Sequence, residues 1–318
     1  MVKETAARPK VRMIEVSDGQ EDQRLDNFLQ GRLAGAPRAL IYKIIRKGQV
    51  RVNGGRAKPS TRLSAGDVVR VPPVRLPQRD GVVIPGWALD AVASAVIDED
   101  HDVLVIDKPH GMAVHGGSGV EWGLIDVVRE LRKAETLELV HRLDRDTSGC
   151  LLIAKNKGAM RALQRQFREG GPDKRYLCLL DGRPERKHLE VDAPLLKVRV
   201  GGEHLVQVDP AGKPAKTVFT ILESFGDSSL AEARLLTGRT HQIRAHAAHL
   251  GMPLAGDPRY LDPRRRDEWR SRGLRRLFLH ACALVVEIPE GHPRSFASVL
   301  PEELEAVLRQ LRHETVND

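Results

Sequence analysis

Apolar positions along the chain change their spacing several times, and each spacing predicts an element. Leu25, Phe28, Leu29 and Leu33 recur at helical intervals, as do Leu40, Ile41, Ile44 and Ile45, with Gly48 placed to close the second helix. Val50 and Val52 alternate with polar residues and run into Asn53-Gly54, a dipeptide suited to a tight hairpin turn. Val69 and Val71 predict another short strand. A helix–helix–β unit is therefore expected over residues 14–75, after a loose tail at 1–13. The prolines that begin at Pro72 and Pro73 predict a linker over 76–95.

A larger domain is expected over 96–318. Val103–Ile106, Leu137–Leu143, Cys150–Ala154, Tyr176–Leu180, Val218–Leu222, Leu230–Leu236 and Leu277–Ile288 read as strands. Gly123–Lys133 reads as a helix, as does a segment capped by Asn156 and running to Phe167. Thr240–Leu250 is a third, stopped by Gly251, and Pro301 opens an amphipathic C-terminal helix. Strands and helices without strict alternation predict an α+β fold with a mixed, largely antiparallel sheet, next to a small N-terminal α/β unit.

Composition sharpens this picture. Hydrophobic residues make up 41% and charged residues 30%, enough for packed cores. The three cysteines, Cys150, Cys178 and Cys282, sit far apart in apolar runs, which suits reduced thiols in a cytoplasmic protein. No apolar run reaches the roughly 18 residues of a membrane span, and the N-terminus shows no signal-peptide core. No coiled-coil heptads are visible; a monomer is the expectation, though the absence of heptads does not fix the oligomeric state. The net charge of +8 is unevenly placed. Residues 1–75 hold 16 Lys and Arg against 7 Asp and Glu, whereas the rest of the chain nearly balances at 35 against 36. Between Asn27 and Gly66 there is no acidic residue at all. A solvated face would mix both signs, so Arg38, Lys43, Arg46, Lys47, Arg51 and Arg56 are candidates for binding a polyanion.

The candidate chemistry lies in His141-Arg142-Leu143-Asp144-Arg145-Asp146-Thr147-Ser148-Gly149, a polar connection between two expected strands. Asp144 stands between two arginines, which favours an ionised carboxylate able to act as a nucleophile. It reads equally as a turn residue paired with an arginine. Asp146, Thr147 and Ser148 suit the turn's own hydrogen bonds. His241, His246 and His249 share a predicted helix, but no acidic or cysteine ligand follows at zinc spacing, so no metal is expected. Gly116–Gly119 lacks the Lys-Ser/Thr of a phosphate-binding loop and is read as a flexible substrate loop. The arginines at 264–266, 270, 272, 275 and 276 form a basic insertion, open to either solvent or RNA contact.

The segment HRLDRDTSG resembles the signature loop of the RluA family of pseudouridine synthases. Four further blocks follow the family's order: Val105–Gly111 with His115–Gly119, Lys174-Arg175-Tyr176, Gly238–Arg244, and Gly256–Tyr260 with Leu277–Ala281. The N-terminal unit resembles an S4 RNA-binding domain, and the run AVHGGSG resembles the RluC branch, which modifies large-subunit (23S) ribosomal RNA. The resemblance implies that Asp144 is the catalytic aspartate, Arg239 its basic partner and Tyr176 the active-site tyrosine. It also makes Arg142 a candidate for filling the stack left by a flipped base, with a purely electrostatic role as the alternative, and His115, His241 and Arg244 candidates for contacting RNA. Uridine isomerisation needs no redox cofactor, nucleotide or metal. A non-catalytic ribosome-assembly factor and a carboxylate-dependent hydrolase are the competing readings.

Overall fold

The alternation of apolar and polar residues is resolved into two bodies, because the chain divides between Val82 and Val83 into separate units. The computed structural model describes residues 11–317, apart from 18–19, 34–35, 37, 75–82, 117–119, 135, 201–202 and 289–290.

In the N-terminal unit, strand β1 (Arg12–Glu15) is followed by α1 (Leu25–Arg32), α2 (Arg38–Arg46), β2 (Arg51–Val52) and β3 (Val68–Val71). The strands form an antiparallel sheet in the order β1-β3-β2. Leu25, Phe28 and Leu29 of α1 meet Ile41, Ile44 and Ile45 of α2 in one core with Val69 and Val71. Asn53 and Gly54 both take positive φ, as the turn requires. The Asn53 carboxamide accepts from the Val68 amide at 2.8 Å and donates to Asp67 at 2.7 Å. Two expectations change here. The expected tail 1–13 contributes Arg12 and Met13 to β1, whose mostly exposed side chains give no apolar signal; residues 1–10 lie outside the described residues. Arg24 and Tyr42 both bond the Asp26 carboxylate, so part of the unit's charge is spent internally.

The second unit runs α3 (Gly86–Ala93), β4 (Val96–Glu99), β5 (Val103–Lys108), α4 (Leu124–Arg132), β6 (Glu138–Leu139), β7 (Ser148–Ala154), α5 (Lys157–Glu169) and β8 (Asp173–Leu180). It continues through β9 (His188–Asp192), β10 (Leu195–Val200), β11 (Glu203–Val208), β12 (Lys216–Ser224), β13 (Ser229–Leu235) and α6 (Gln242–His249). The remaining elements are α7 (Pro263–Ser271), β14 (Leu279–Glu287), β15 (Pro293–Ala297) and α8 (Glu302–Asn317). Ten strands form one sheet along the path β4-β5-β7-β14-β8-β13-β12-β9, with β6 on β7 and β15 on β14. Every pairing in it is antiparallel except β7 with β14. The fold is thus α+β with a mixed, largely antiparallel sheet.

Both faces of the central strands are covered. Leu151 and Ile153 of β7 enter one apolar cluster with α3 and α4, while Cys150, Leu152 and Ala154 enter another beneath α5. This is why β7 reads as a continuous apolar run and not as an alternation. Asn156 caps α5 by accepting from the Ala159 amide. Leu304, Val307, Leu308 and Leu311 of α8 close a third cluster around Trp269 of α7.

Three other expectations are corrected. Part of the segment expected as linker is helix α3, whose Ala88 and Val92 are buried; residues 75–82 lie outside the described residues. The expected strand Leu137–Leu143 is reduced to Glu138–Leu139, because the chain turns toward the polar loop after it. The basic insertion is helix α7, held by buried Trp269, whose Nε1 donates to Asp181 at 2.9 Å. Arg265 pairs there with Asp181 and Asp227, and Arg272 with Asp227.

Gly149 fixes the parallel β7–β14 contact. Its φ is +111°, and a Cβ there would lie 2.3 Å from the Ala281 carbonyl oxygen. Gly149→Ala should therefore cost about 3 kcal/mol or more of stability, since backbone strain and a backbone clash add. Urea unfolding of the variant beside the parent chain measures this.

Candidate functional site

Asp144 is carried by a tight turn closed by the Thr147 amide donating to the Asp144 carbonyl at 3.1 Å. The turn is fastened from below through the Arg145 carbonyl, which accepts from the Gly111 amide at 2.9 Å and from Lys108 Nζ at 3.1 Å. Lys108 ends β5 fully buried, and its Nζ also donates to the carbonyls of Pro109 and Met112, both at 2.8 Å. Three carbonyls use all three hydrogens of an ammonium; a neutral amine would leave one of them facing a lone pair. Burial, with the Arg276 charge adding to it, pulls Lys108 down to about 7, while Asp146, Asp144 and Asp107 oppose the fall.

The exit from the turn is equally constrained. Ser148 Oγ accepts from Arg276 Nη2 at 2.7 Å and so directs its own hydrogen to His280 Nδ1 at 3.0 Å. His280 Nε2 then donates to the Ser298 carbonyl at 3.2 Å, leaving a neutral imidazole with no free nitrogen. His141, at the other end of the signature segment, stacks on Phe167 and accepts the Leu152 amide. Burial brings it down to about 3, a structural role away from the cleft.

Above the turn lies a cleft of about 110 Å³. Arg142, Asp144, Tyr176, Arg239, His241 and Arg244 all line it, with Leu143, Leu235, Ile243 and Leu279 as apolar wall. Four stretches of chain, 142–147, 176, 235–244 and 279, thus meet at the cleft. Tyr176 of β8 is buried, and burial, helped by the Asp144 charge, raises its phenol above the ordinary value. Arg142 is exposed at the rim and forms no ion pair among the described residues. His241 sets its Nε2 3.8 Å from Asp144 Oδ2. Asp146 does not line the cleft; its charge acts on Lys108, His110 and Arg276.

The expected Asp144–Arg239 pair is not formed. Arg239 is exposed at the cleft edge and donates through Nε to the Pro214 carbonyl at 3.0 Å. The buried cation on this side is Arg244, which sequence reasoning placed among RNA contacts. It is held bidentately by Asp257, with both bonds at 2.7 Å, and its guanidinium lies over the Tyr260 ring. Burial opposes its charge, but the bond to Asp257 and the charges of Asp257 and Asp144 keep its pKa above the ordinary arginine value. Arg239 lies before α6 and Arg244 within it, five residues on, and only packing distinguishes the inward from the outward one.

Neighbouring polar groups hold this geometry. Gln242 fills all its sites: its oxygen accepts from Thr237 Oγ1 and the Arg239 amide, and its nitrogen donates to the Lys216 carbonyl and Thr217 Oγ1. Both nitrogens of His246 are occupied by Thr217 Oγ1 and the Ala193 carbonyl, so it has none to offer a metal. His115 is exposed and does not line the cleft, and residues 117–119 of its loop lie outside the described residues. Lys43, Arg46, Lys47 and Arg56 are exposed in the N-terminal unit, whereas Arg51 is half-buried and bonds the Gly48 carbonyl. The side chain of Arg38 lies outside the described residues. Lys108, Asp257 and Tyr260 carried no assigned role. A lysine continuing the apolar run VLVIDK was a legible signal of a buried charge.

The comparisons decide the family. Residues 102–249 match the model of the RNA pseudouridylate synthases, and 23–69 match the S4 domain. The chain is 46% identical over 311 residues to "Ribosomal large subunit pseudouridine synthase C" of Vibrio vulnificus, covering 96% of this chain and 98% of that one. The chain belongs to the RNA pseudouridine synthase family. A protein of the same description from Escherichia coli K12 is 44% identical over 312 residues, covering 96% of this chain and 98% of its own. Among solved structures, human RNA pseudouridylate synthase domain containing 4 is 27% identical with a TM-score of 0.60, covering 71% of this chain and 96% of that one. As a pseudouridine synthase the protein is an isomerase, with an S4 domain at its N-terminus.

In this pseudouridine synthase the Arg244–Asp257 pair is withdrawn from water, so removing one partner strands the other. Arg244→Met should cost about 3–5 kcal/mol, and Arg244→Met with Asp257→Leu should recover part of it, because no unpaired charge then remains buried. Thermal unfolding of the two variants separates these outcomes.

Proposed function

We propose that the enzyme isomerises uridines of large-subunit ribosomal RNA to pseudouridine, with Asp144 as its nucleophile. The observation that carries this reading is the convergence of Asp144, Tyr176, His241 and Arg244 on one cleft in a chain whose relatives carry that activity in their names. The carboxylate addresses the sugar at the glycosidic carbon while the uracil detaches, turns and rejoins through C5. Buried Arg244, fixed by Asp257, supplies a permanent positive charge where negative charge gathers on the detached base. Tyr176 offers its ring face to the uracil; its raised phenol keeps its proton. Arg142, exposed at the rim, occupies the duplex space left by the extruded base. Arg239 serves the RNA backbone.

The S4 unit captures the RNA. Ile41, Ile44 and Ile45 face its core, which turns Lys43 and Arg46 outward on the opposite side of α2, with exposed Lys47 just past its end. No helix among the described residues is long and apolar enough to cross a membrane, and the reading places the enzyme with ribosomal RNA in the cytoplasm, acting as a monomer.

Asp144→Asn keeps the shape of the turn but has no charge to act at the sugar, so it should bind RNA and make no detectable pseudouridine. Pseudouridine-specific chemical sequencing of large-subunit RNA treated with parent and variant tests this, and an active Asp144→Asn would sink the assignment. Replacing Lys43, Arg46 and Lys47 by serine should weaken binding across RNA sequences. It should also flatten the slope of log K against log salt by roughly 0.7–0.9 for each phosphate that is no longer neutralised. Binding titrations at several salt concentrations give both quantities.

A further inference from the structure

The last chemical step of the isomerisation requires a base. Once the sugar is joined to C5, that carbon still carries its original hydrogen, which must leave. The cleft offers few groups for the task. Tyr176 holds its own proton and Arg244 is a cation held by Asp257, so the lone pairs on offer at this stage belong to the Asp144 carboxylate, released as the sugar passes to C5, and to His241.

His241 differs from the other three. It caps the N-terminus of α6 in a left-handed conformation, with φ 53°. Its Nδ1 lies 3.2 Å from the Tyr260 hydroxyl. That hydroxyl also touches β11, donating to the Val206 carbonyl at 2.9 Å and accepting from the Val206 amide at 3.1 Å. A phenol has one hydrogen, and here it is committed to the carbonyl of buried Val206, which would otherwise be orphaned. The contact with His241 must then run the other way, with Nδ1–H donating to the tyrosine oxygen. In the neutral imidazole this leaves Nε2 as a bare lone pair, and Nε2 is the nitrogen that faces Asp144 across 3.8 Å. Burial, and then the Arg244 charge, lower the pKa of His241, with Asp144 opposing.

We propose that Nε2 of His241 is the general base that removes the C5 proton, and that Tyr260 is the positioning residue that keeps that nitrogen free. The proposal rests on Asp144 as the group that addresses the sugar. C5 is then bonded to the carbon beside the Asp144 carboxylate, so a base on the other side of that carboxylate oxygen reaches the C5 hydrogen. The C5–H bond breaks and its electron pair becomes the C5=C6 double bond. The N1=C6 pair retreats onto N1, which takes a proton from water. Nε2 holds the C5 proton and releases it to solvent, so the step neither consumes nor produces a net proton. Other cations and acids facing the ring are Arg244, Arg259 and Asp257.

His241→Asn is the informative variant. Asparagine tolerates the left-handed backbone, and its amide can still donate to Tyr260, but nothing replaces Nε2. Single-turnover pseudouridine formation is followed on large-subunit ribosomal RNA transcribed with uridine or with 5-deuterated uridine. Parent enzyme, His241→Asn and Tyr260→Phe are compared at equal RNA saturation. The expected result is a loss of about a hundredfold or more in rate for His241→Asn with little change in RNA affinity. A deuterium isotope effect larger than the parent's should appear in the same variant, because C5–H cleavage has become limiting. Tyr260→Phe should show the same signature in weaker form. An active His241→Asn overturns the proposal, as does a slow one whose isotope effect matches the parent's, since that marks a structural lesion or an earlier step. Failure of the underlying reading looks different: the parent makes no pseudouridine, or Asp144→Asn makes as much as the parent.

Discussion

A guanidinium and a carboxylate withdrawn from water cost several kcal/mol each to desolvate, so a buried pair persists only where every remaining hydrogen-bonding site is met. Asp257 takes two of the five N–H groups of Arg244 together with two backbone amides, and much of the cleft is arranged by these bonds. Asp257 spends one oxygen on Arg244 Nη2 and on the backbone amides of Arg259 and Tyr260, which curls the segment after Gly256 around the carboxylate. Gly256 passes so near the Arg276 carbonyl that a Cβ would lie 2.1 Å from it. The curl sets Tyr260 under the guanidinium and in reach of both β11 and His241. One ion pair therefore fixes a positive charge, a tyrosine and a histidine around the same space.

The turn that bears Asp144 is held from the opposite side and almost entirely through its backbone. Lys108 and the Gly111 amide hold the Arg145 carbonyl, and Arg276 with His280 holds Ser148. The carboxylate of Asp144 is left without a hydrogen bond of its own among the described residues. Such an arrangement aims the carboxylate without consuming its lone pairs, which is what the role proposed for it asks of a scaffold.

Saturation also differs among the polar groups around the cleft. Gln242, His246 and His280 are polar and buried near the site, and their hydrogen-bonding capacity is used up by fixed partners. His241 and Asp144 keep atoms unspent. The same accounting applies on α7, where Arg265 and Arg272 flank Trp269 and pair with aspartates, so the basic insertion is in large part a clamp.

Local spacing was sufficient for the elements whose stability is local. The helices of the N-terminal unit, the Asn53-Gly54 turn, the Asn156 cap and the strands β5, β7 and β8 follow from periodicity, turn chemistry and apolar runs. Asp144, Tyr176 and the segment holding Arg239 and Arg244 were legible as motifs, because residue order is what a motif records. Which arginine of that segment turns inward was not, since the choice depends on where Asp257 lies after the sheet has closed. Helix α3 was hidden by the prolines before it and its opening glycine, and is stabilised by Ala88 and Val92 packing into the larger core. Strand β9 was hidden because its partner β12 is supplied by a later segment, whereas β10 and β11 pair with each other in a separate two-stranded sheet, so their alternation was a legible local signal. The parallel contact between β7 and β14, and with it the position of Asp144, exists only once strands more than a hundred residues apart meet at Gly149 and Ala281. A sequence names the groups that can react; burial, tautomer and the direction of each hydrogen bond are properties of neighbours that only the folded chain brings together.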